Sequence, residues 1–209
     1  YFSGSGSAAD PKVQAEYNMR TYVYFKGNKI GDYFSWYNLD NEGGIKTYTE
    51  HNFGHTQSHN PVFDYPYAAK ETYVAVTAVN KILQNADSTG TVLDNCSDYA
   101  YTFERPKDNK KIIPFWTAGT PRNITFKLNT ENAVLYDIYG NATNLSSENG
   151  EYTLTLTNSM QYLEGDFTTA ECTDPRIETS ESNLNIAKNS NAVINVSGVK
   201  DGEILTVSR

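Results

Sequence analysis

The sequence predicts an α+β fold, and three observations carry that prediction. Helical spacing of apolar residues dominates up to about residue 90, after which short strands separated by turns take over. A strong helix start stands at Asp10-Pro11, where Asp can cap and Pro suits the first helical position. Between two helices lies one buried-type strand, which cannot bury both of its faces alone. That arrangement reads as part of a larger α/β unit.

The elements follow in order. Residues 1–9 are a Gly/Ser-rich lead-in. The first helix places Ala15, Met19, Tyr22 and Val23 on one face, and Lys26-Gly27 closes it. "IGDYFSWYNLD", residues 30–40, is aromatic and reads as a buried strand. Residues 40–64 form a long polar loop of the kind that is functional or disordered. A second helix is expected over roughly 67–86, with Tyr73, Val76, Val79, Ile82 and Leu83 as its apolar face and "ADSTG" as its end. From Tyr99 onward "YAYTFER", "KIIPFWT", "NITFKL", "AVLYDIY", "EYTLTL" and "MQYLEG" read as strands, with "PKDNK" and "GNATN" as turns. Strands so spaced imply an antiparallel β-sandwich. The tail from about Thr173 resembles the first strands of a further β module.

Composition bounds the function. The net charge is −8, and no basic stripe exists to neutralise phosphates, which argues against nucleic acid. No apolar run approaches the roughly 20 residues that span a bilayer. Tyr1 opens without a signal-peptide pattern, so a mature or excised piece is expected. Cys96 and Cys172 are no disulfide framework and are expected as thiols. Five N-x-Ser/Thr triplets begin at Asn95, Asn123, Asn141, Asn144 and Asn195; so Asn-rich a chain generates such matches by chance.

All three histidines, His51, His55 and His59, lie in "EHNFGHTQSHN". Four-residue spacing would align them on a helix, but Asn52, Gly54, Asn60 and Pro61 oppose one. No H-E-x-x-H is present, so no metal is expected there. No cofactor is expected either: "SGSG" around Gly4 and Gly6 is not a phosphate loop. Cys96 has no nearby His and is not expected as a nucleophile. Trp116 reads as a core residue, and Arg20 as half of a surface ion pair.

The residues "QAEYNMRTYVYFKGNKIGDYFSWYNLDNEGG", "HNFGHTQ" and "YPYAAKETYVAVTAVNKIL", followed by "AVLYDIYGNATNL" and "EYTLTLTNSMQYLEG", together resemble the C-terminal end of a clan A glycoside hydrolase, family 39-like. The resemblance covers roughly residues 8–167, with Met160 standing where that pattern usually has Pro. It implies C-terminal βα units of a TIM-like (β/α)8 barrel followed by an antiparallel β-sandwich. The division expected is 1–90 for the last helix-strand-helix part of the barrel, 91–170 for the accessory sandwich and 171–209 for a further Ig-like β module or tail. It also implies that both catalytic carboxylates lie upstream of Tyr1, so no catalytic residue is expected within the chain. Trp36 and Tyr37, at a strand end, read as the floor under a sugar or as simple core. Asp40 and Glu42 read as groups that bond sugar hydroxyls or as solvated turn residues.

The function expected is that of the C-terminal portion of a secreted or cell-surface, multidomain glycoside hydrolase acting on a polysaccharide or oligosaccharide. Its partners would be carbohydrate and the N-terminal part of its own barrel. The alternatives are a non-catalytic carbohydrate-binding or adhesion module and a structural spacer of a surface protein.

Overall fold

A computed structural model describes residues 10–31, 71–95 and 97–173 in full. It also gives the strands Thr56–Asn60 (β1), Tyr65–Ala69 (β2), Arg176–Thr179 (β12) and Ile194–Ser197 (β13) as paired backbone. Two helices, α1 (Pro11–Gly27) and α2 (Glu71–Ile82), precede nine strands: β3 (Asp87–Asn95), β4 (Asp98–Arg105), β5 (Lys110–Thr117), β6 (Arg122–Leu128), β7 (Asn132–Tyr136), β8 (Ala142–Ser146), β9 (Glu151–Leu156), β10 (Gln161–Gly165) and β11 (Ala170–Thr173). The protein is thus mostly antiparallel sheet with two helices.

One sheet runs β3-β4-β5-β10-β7-β8 and a second runs β11-β6-β9, every pair antiparallel. The side-chain period of two decides what the six-stranded sheet does with its faces. Ala100, Ile113, Phe115 and Leu163 point to the three-stranded sheet, where Ile124, Phe126, Tyr152 and Leu156 meet them. Their neighbours Tyr101, Ile112, Trp116 and Tyr162 point the other way, onto the helices. The fold therefore has three layers: two helices, six strands, three strands. The division expected between residues 90 and 91 falls inside β3.

Helix α1 begins as read. Asp10 caps it by accepting from the Lys12 backbone N–H at 2.8 Å, with Pro11 at the first position. Ala15, Met19 and Val23 are buried and Tyr22 packs against the same core. Gly27 closes the helix for a different reason than a left-handed turn. The positive φ falls on Lys29, while a Cβ on Gly27 would meet the Tyr101 ring at 2.7 Å.

Helix α2 differs from expectation in its start and in the exposure of Tyr73. It begins at Glu71, because Tyr65–Ala69 pair with Thr56–Asn60 as a hairpin. Part of the expected polar loop is thus a strand. The buried stripe is Thr72, Ala75, Ala78, Val79 and Ile82, continued by Leu83 and Ala86, while Tyr73 is 42 % exposed. Ala78 is small where the loop after β7 comes close: a Cβ on Gly140 would lie 3.1 Å from its own. Of the expected face, Val79, Ile82 and Leu83 are buried and Val76 packs against the same core; only Tyr73 lies outside it. Strand β3 stands where the sequence reads as the frayed end of a helix. It is an edge strand, largely exposed and bulged between Ser88 and Gly90 and between Thr91 and Leu93. Strand β8 is the other edge and covers most of the expected "GNATN" turn.

Candidate functional site

Trp36, Tyr37 and Asp40 lie outside the described residues, as do Glu42, His51, His55 and Cys96. His59 lies on β1, described as backbone alone. Cys172 is half-buried on β11, its neighbour across the ladder being Phe126. Among the described residues no three His, Cys, Asp or Glu side chains converge as metal ligands would.

The described residues do form a groove of about 630 Å³. It lies between the open side of α2, the β4–β5 hairpin and the loop after β7. Tyr73, Val74 and Lys81 line it from the helix, Lys107 from the hairpin, and Tyr136 and Tyr139 from the far side. Each wall is held in place. In the loop, Asp137 Oδ1 accepts from the backbone N–H groups of Tyr139 and Asn141, both at 2.9 Å. Gly140, at φ +85°, brings the loop so close to the helix that a Cβ there would lie 3.1 Å from that of Ala78. The Tyr139 hydroxyl donates to Glu71 Oε2 at 2.7 Å, and burial raises its pKa, so it stays a donor.

Arg105 ties the hairpin to the helix end. Its Nε and Nη2 donate to the two oxygens of Asp108 at 2.9 and 2.8 Å. Its Nη1 donates to the Ile82 carbonyl at 2.9 Å, satisfying an open acceptor at the end of α2. The same Nη1 lies 3.0 Å from Glu164 Oε2, out of line for a hydrogen bond. The Arg105 guanidinium holds the Asp108 carboxyl below its ordinary pKa, and Asp108 in turn raises that of Arg105.

These details decide the chemistry the groove can do. A catalytic acid needs a carboxyl whose pKa is raised towards the working pH. Here Asp108 is pushed the other way, and it shares one guanidinium with Glu164. The groove offers aromatic faces, hydroxyls and ammonium groups, which is equipment for binding.

Two other residues singled out in the sequence are structural. Trp116 is 2 % exposed and stacks on Tyr99, centroids 5.0 Å apart at 21°, as a core residue should. Arg20 is not the ordinary surface pair expected. It is half-buried, and its Nε donates to the Asn158 carbonyl at 2.9 Å while Nη2 lies 3.5 Å from Glu16. Burial lowers its pKa, with Glu16 opposing that shift. Glu16 also accepts from the Ser159 hydroxyl, so the pair pins α1 to the β9–β10 turn.

The solved structure of a family 39 glycoside hydrolase from the gut symbiont Bacteroides cellulosilyticus WH2 is similar to this chain, with a TM-score of 0.57 and 27% sequence identity over 73% of the chain. The likeness points to a glycoside hydrolase-like fold. The chain matches only 30% of that structure's length. No family model and no curated protein matches.

The groove itself was not read from the sequence. Its two lysines come from unrelated places, a helix and a turn, and only the fold makes them neighbours. The one available signal was that Tyr73, Thr77 and Lys81 repeat every four residues on one helical side.

Proposed function

We propose that this chain is the C-terminal portion of a secreted or cell-surface glycoside hydrolase that acts on a polysaccharide or oligosaccharide. In this reading α1 and α2 are helices of a TIM-like barrel, and the two sheets are its accessory sandwich. The catalytic carboxylates belong to sequence upstream of Tyr1. Trp36, Tyr37 and Asp40 form one wall of the sugar cleft. The observation that carries the reading is the likeness to a family 39 glycoside hydrolase over 73% of the chain at 27% identity.

The surface of α1 supports it. Val13, Tyr17, Tyr24 and Phe25 on α1 are large apolar side chains that stand exposed. Soluble proteins rarely leave such a group of residues uncovered without an interaction to make. The missing part of a barrel would cover that face.

The test is to express the chain with the coding sequence that precedes Tyr1 and assay both forms on aryl glycosides and polysaccharides. The longer form is expected to hydrolyse and the 209-residue chain to be inactive. Turnover by the short chain that disappears in Asp40→Asn would overturn this division. A longer form with no Glu at a strand end just before Tyr1 and no turnover would favour the second reading, a non-catalytic carbohydrate-binding module. The binding character of the α2 groove is the observation on that side.

A further inference from the structure

We propose that the groove between α2 and the β4–β5 hairpin binds a sugar chain bearing anionic groups, carboxylate or sulfate. That the ligand is a sugar rests on the function proposed above; where it binds and its charge rest on the groove itself.

The volume of about 630 Å³ falls in the range of sites that hold a small ligand, which is on the order of 300–1,000 Å³. Tyr73 and Val74 are each 42 % exposed, and Tyr136 and Tyr139 face them. Rings of this kind offer broad apolar contact to the C–H faces of a pyranose while their hydroxyls reach its polar edge. The walls are fixed, because Arg105 clamps the hairpin to the helix end and Gly140 seats the loop on Ala78. A rigid groove loses little freedom when a ligand enters.

Charge narrows the ligand. The whole chain carries −8, yet the groove gathers Lys81, Arg105 and Lys107 against Asp108. Arg105 is held in a two-point ion pair by Asp108 and faces Glu164 as well, so these three groups sum to one negative charge and leave Arg105 no free charge to offer. Lys81 and Lys107 remain, both exposed, and neither forms an ion pair among the described residues. Two ammonium groups beside aromatic faces suit a sugar that carries an anionic substituent. A long polyanion such as a nucleic acid would meet repulsion from the rest of the acidic surface.

The experiment is calorimetry on the full 209-residue chain with three probes of equal length: a uronic acid oligosaccharide, a sulfated oligosaccharide and a neutral oligosaccharide. At least one anionic probe is expected to bind about tenfold tighter than the neutral one in low salt, and to lose that margin in high salt. The double substitution Lys81→Gln, Lys107→Gln should abolish the margin while leaving neutral sugar unchanged. Tyr73→Ala should weaken all binding by about fivefold. All three side chains are exposed, so thermal melts should be unaltered. Anionic sugar bound equally by wild type and variants overturns the groove and leaves the carbohydrate reading intact. Capture of neutral probe as tightly as the anionic ones overturns the charge assignment. No binding of any probe overturns the proposal, while hydrolysis by the longer form decides the parent function separately.

Discussion

The two faces of the six-stranded sheet are held by different chemistry. Towards the three-stranded sheet the contact is hydrocarbon: Ile113, Phe115, Ile124, Phe126, Leu156 and Leu163, with Phe115 and Phe126 ring centroids 5.0 Å apart. Towards the helices tyrosine and alanine join side chains such as Met19, Val79 and Ile112. Tyr101, Tyr162 and Trp116 from the sheet meet Ala15, Ala75 and Ala86 from the helices and the turn after α2. Polar pins fix the register there: Ser88 donates to the Gly27 carbonyl at 2.7 Å, and Asn28 donates to the Tyr101 hydroxyl at 3.0 Å. The hydrocarbon face gains from buried area and tolerates small shifts. The helical face places its helices by directed bonds and close approach, so it is exact but sensitive.

Alkali should divide the two faces most sharply. Burial raises the pKa of Tyr101 and Tyr162 well above the ordinary value, because it disfavours the phenolate. A group with a raised folded pKa contributes its stability fully below its unfolded pKa, about 10, and loses it as pH rises beyond. Between about pH 10 and 12 the amides of α1 should therefore exchange before those of β6 and β9. Simultaneous loss of both would mean that the faces unfold as one unit.

Truncation tests the hydrocarbon side. Phe126→Ala should cost about 3–5 kcal/mol in urea unfolding, as large core deletions do. A cost below about 1 kcal/mol would show that this core repacks freely. On the helical side Gly27→Ala should cost about 1–3 kcal/mol, because the new methyl enters the Tyr101 ring. The change should also redshift or broaden the aromatic circular dichroism while strand exchange stays unchanged. The smallest effect expected is from Tyr162→Phe. The Tyr162 hydroxyl is buried without a hydrogen-bond partner among the described residues, so removing it should raise stability by up to about 1 kcal/mol. A loss of more than that would reveal a partner for the hydroxyl.

How much could be read in advance follows the same division. The strands were legible because alternation and aromatic or β-branched content coincide in "YAYTFER" and "EYTLTL", and because "KIIPFWT" is a short continuous apolar run, as a strand buried on both faces must be. The cap at Asp10 and the stripe of Ala15, Met19 and Val23 were legible because they are local. The edge strands β3 and β8 were not, since an edge strand needs no apolar face and "ADSTG" has the composition of a turn. The face of α2 was legible in Val76, Val79, Ile82 and Leu83 but not in Ala75 and Ala78, since alanines bury well where a helix is approached closely yet add little to an apolar pattern. The role of Arg20 was hidden by distance: its acceptor, the Asn158 carbonyl, lies 138 residues away. The groove depends on the same kind of long-range meeting, between Lys81 and Lys107.

The edges of the large sheet carry a last consequence. β3 is bulged twice, and β8 has only five residues, most of them exposed. Neither border offers the long straight row of free amides and carbonyls onto which a foreign strand could zip. Fibril-like growth is therefore blocked at both rims of the six-stranded sheet. Contacts made at these two rims must therefore be written in side chains, where single substitutions can tune them without disturbing the sheet.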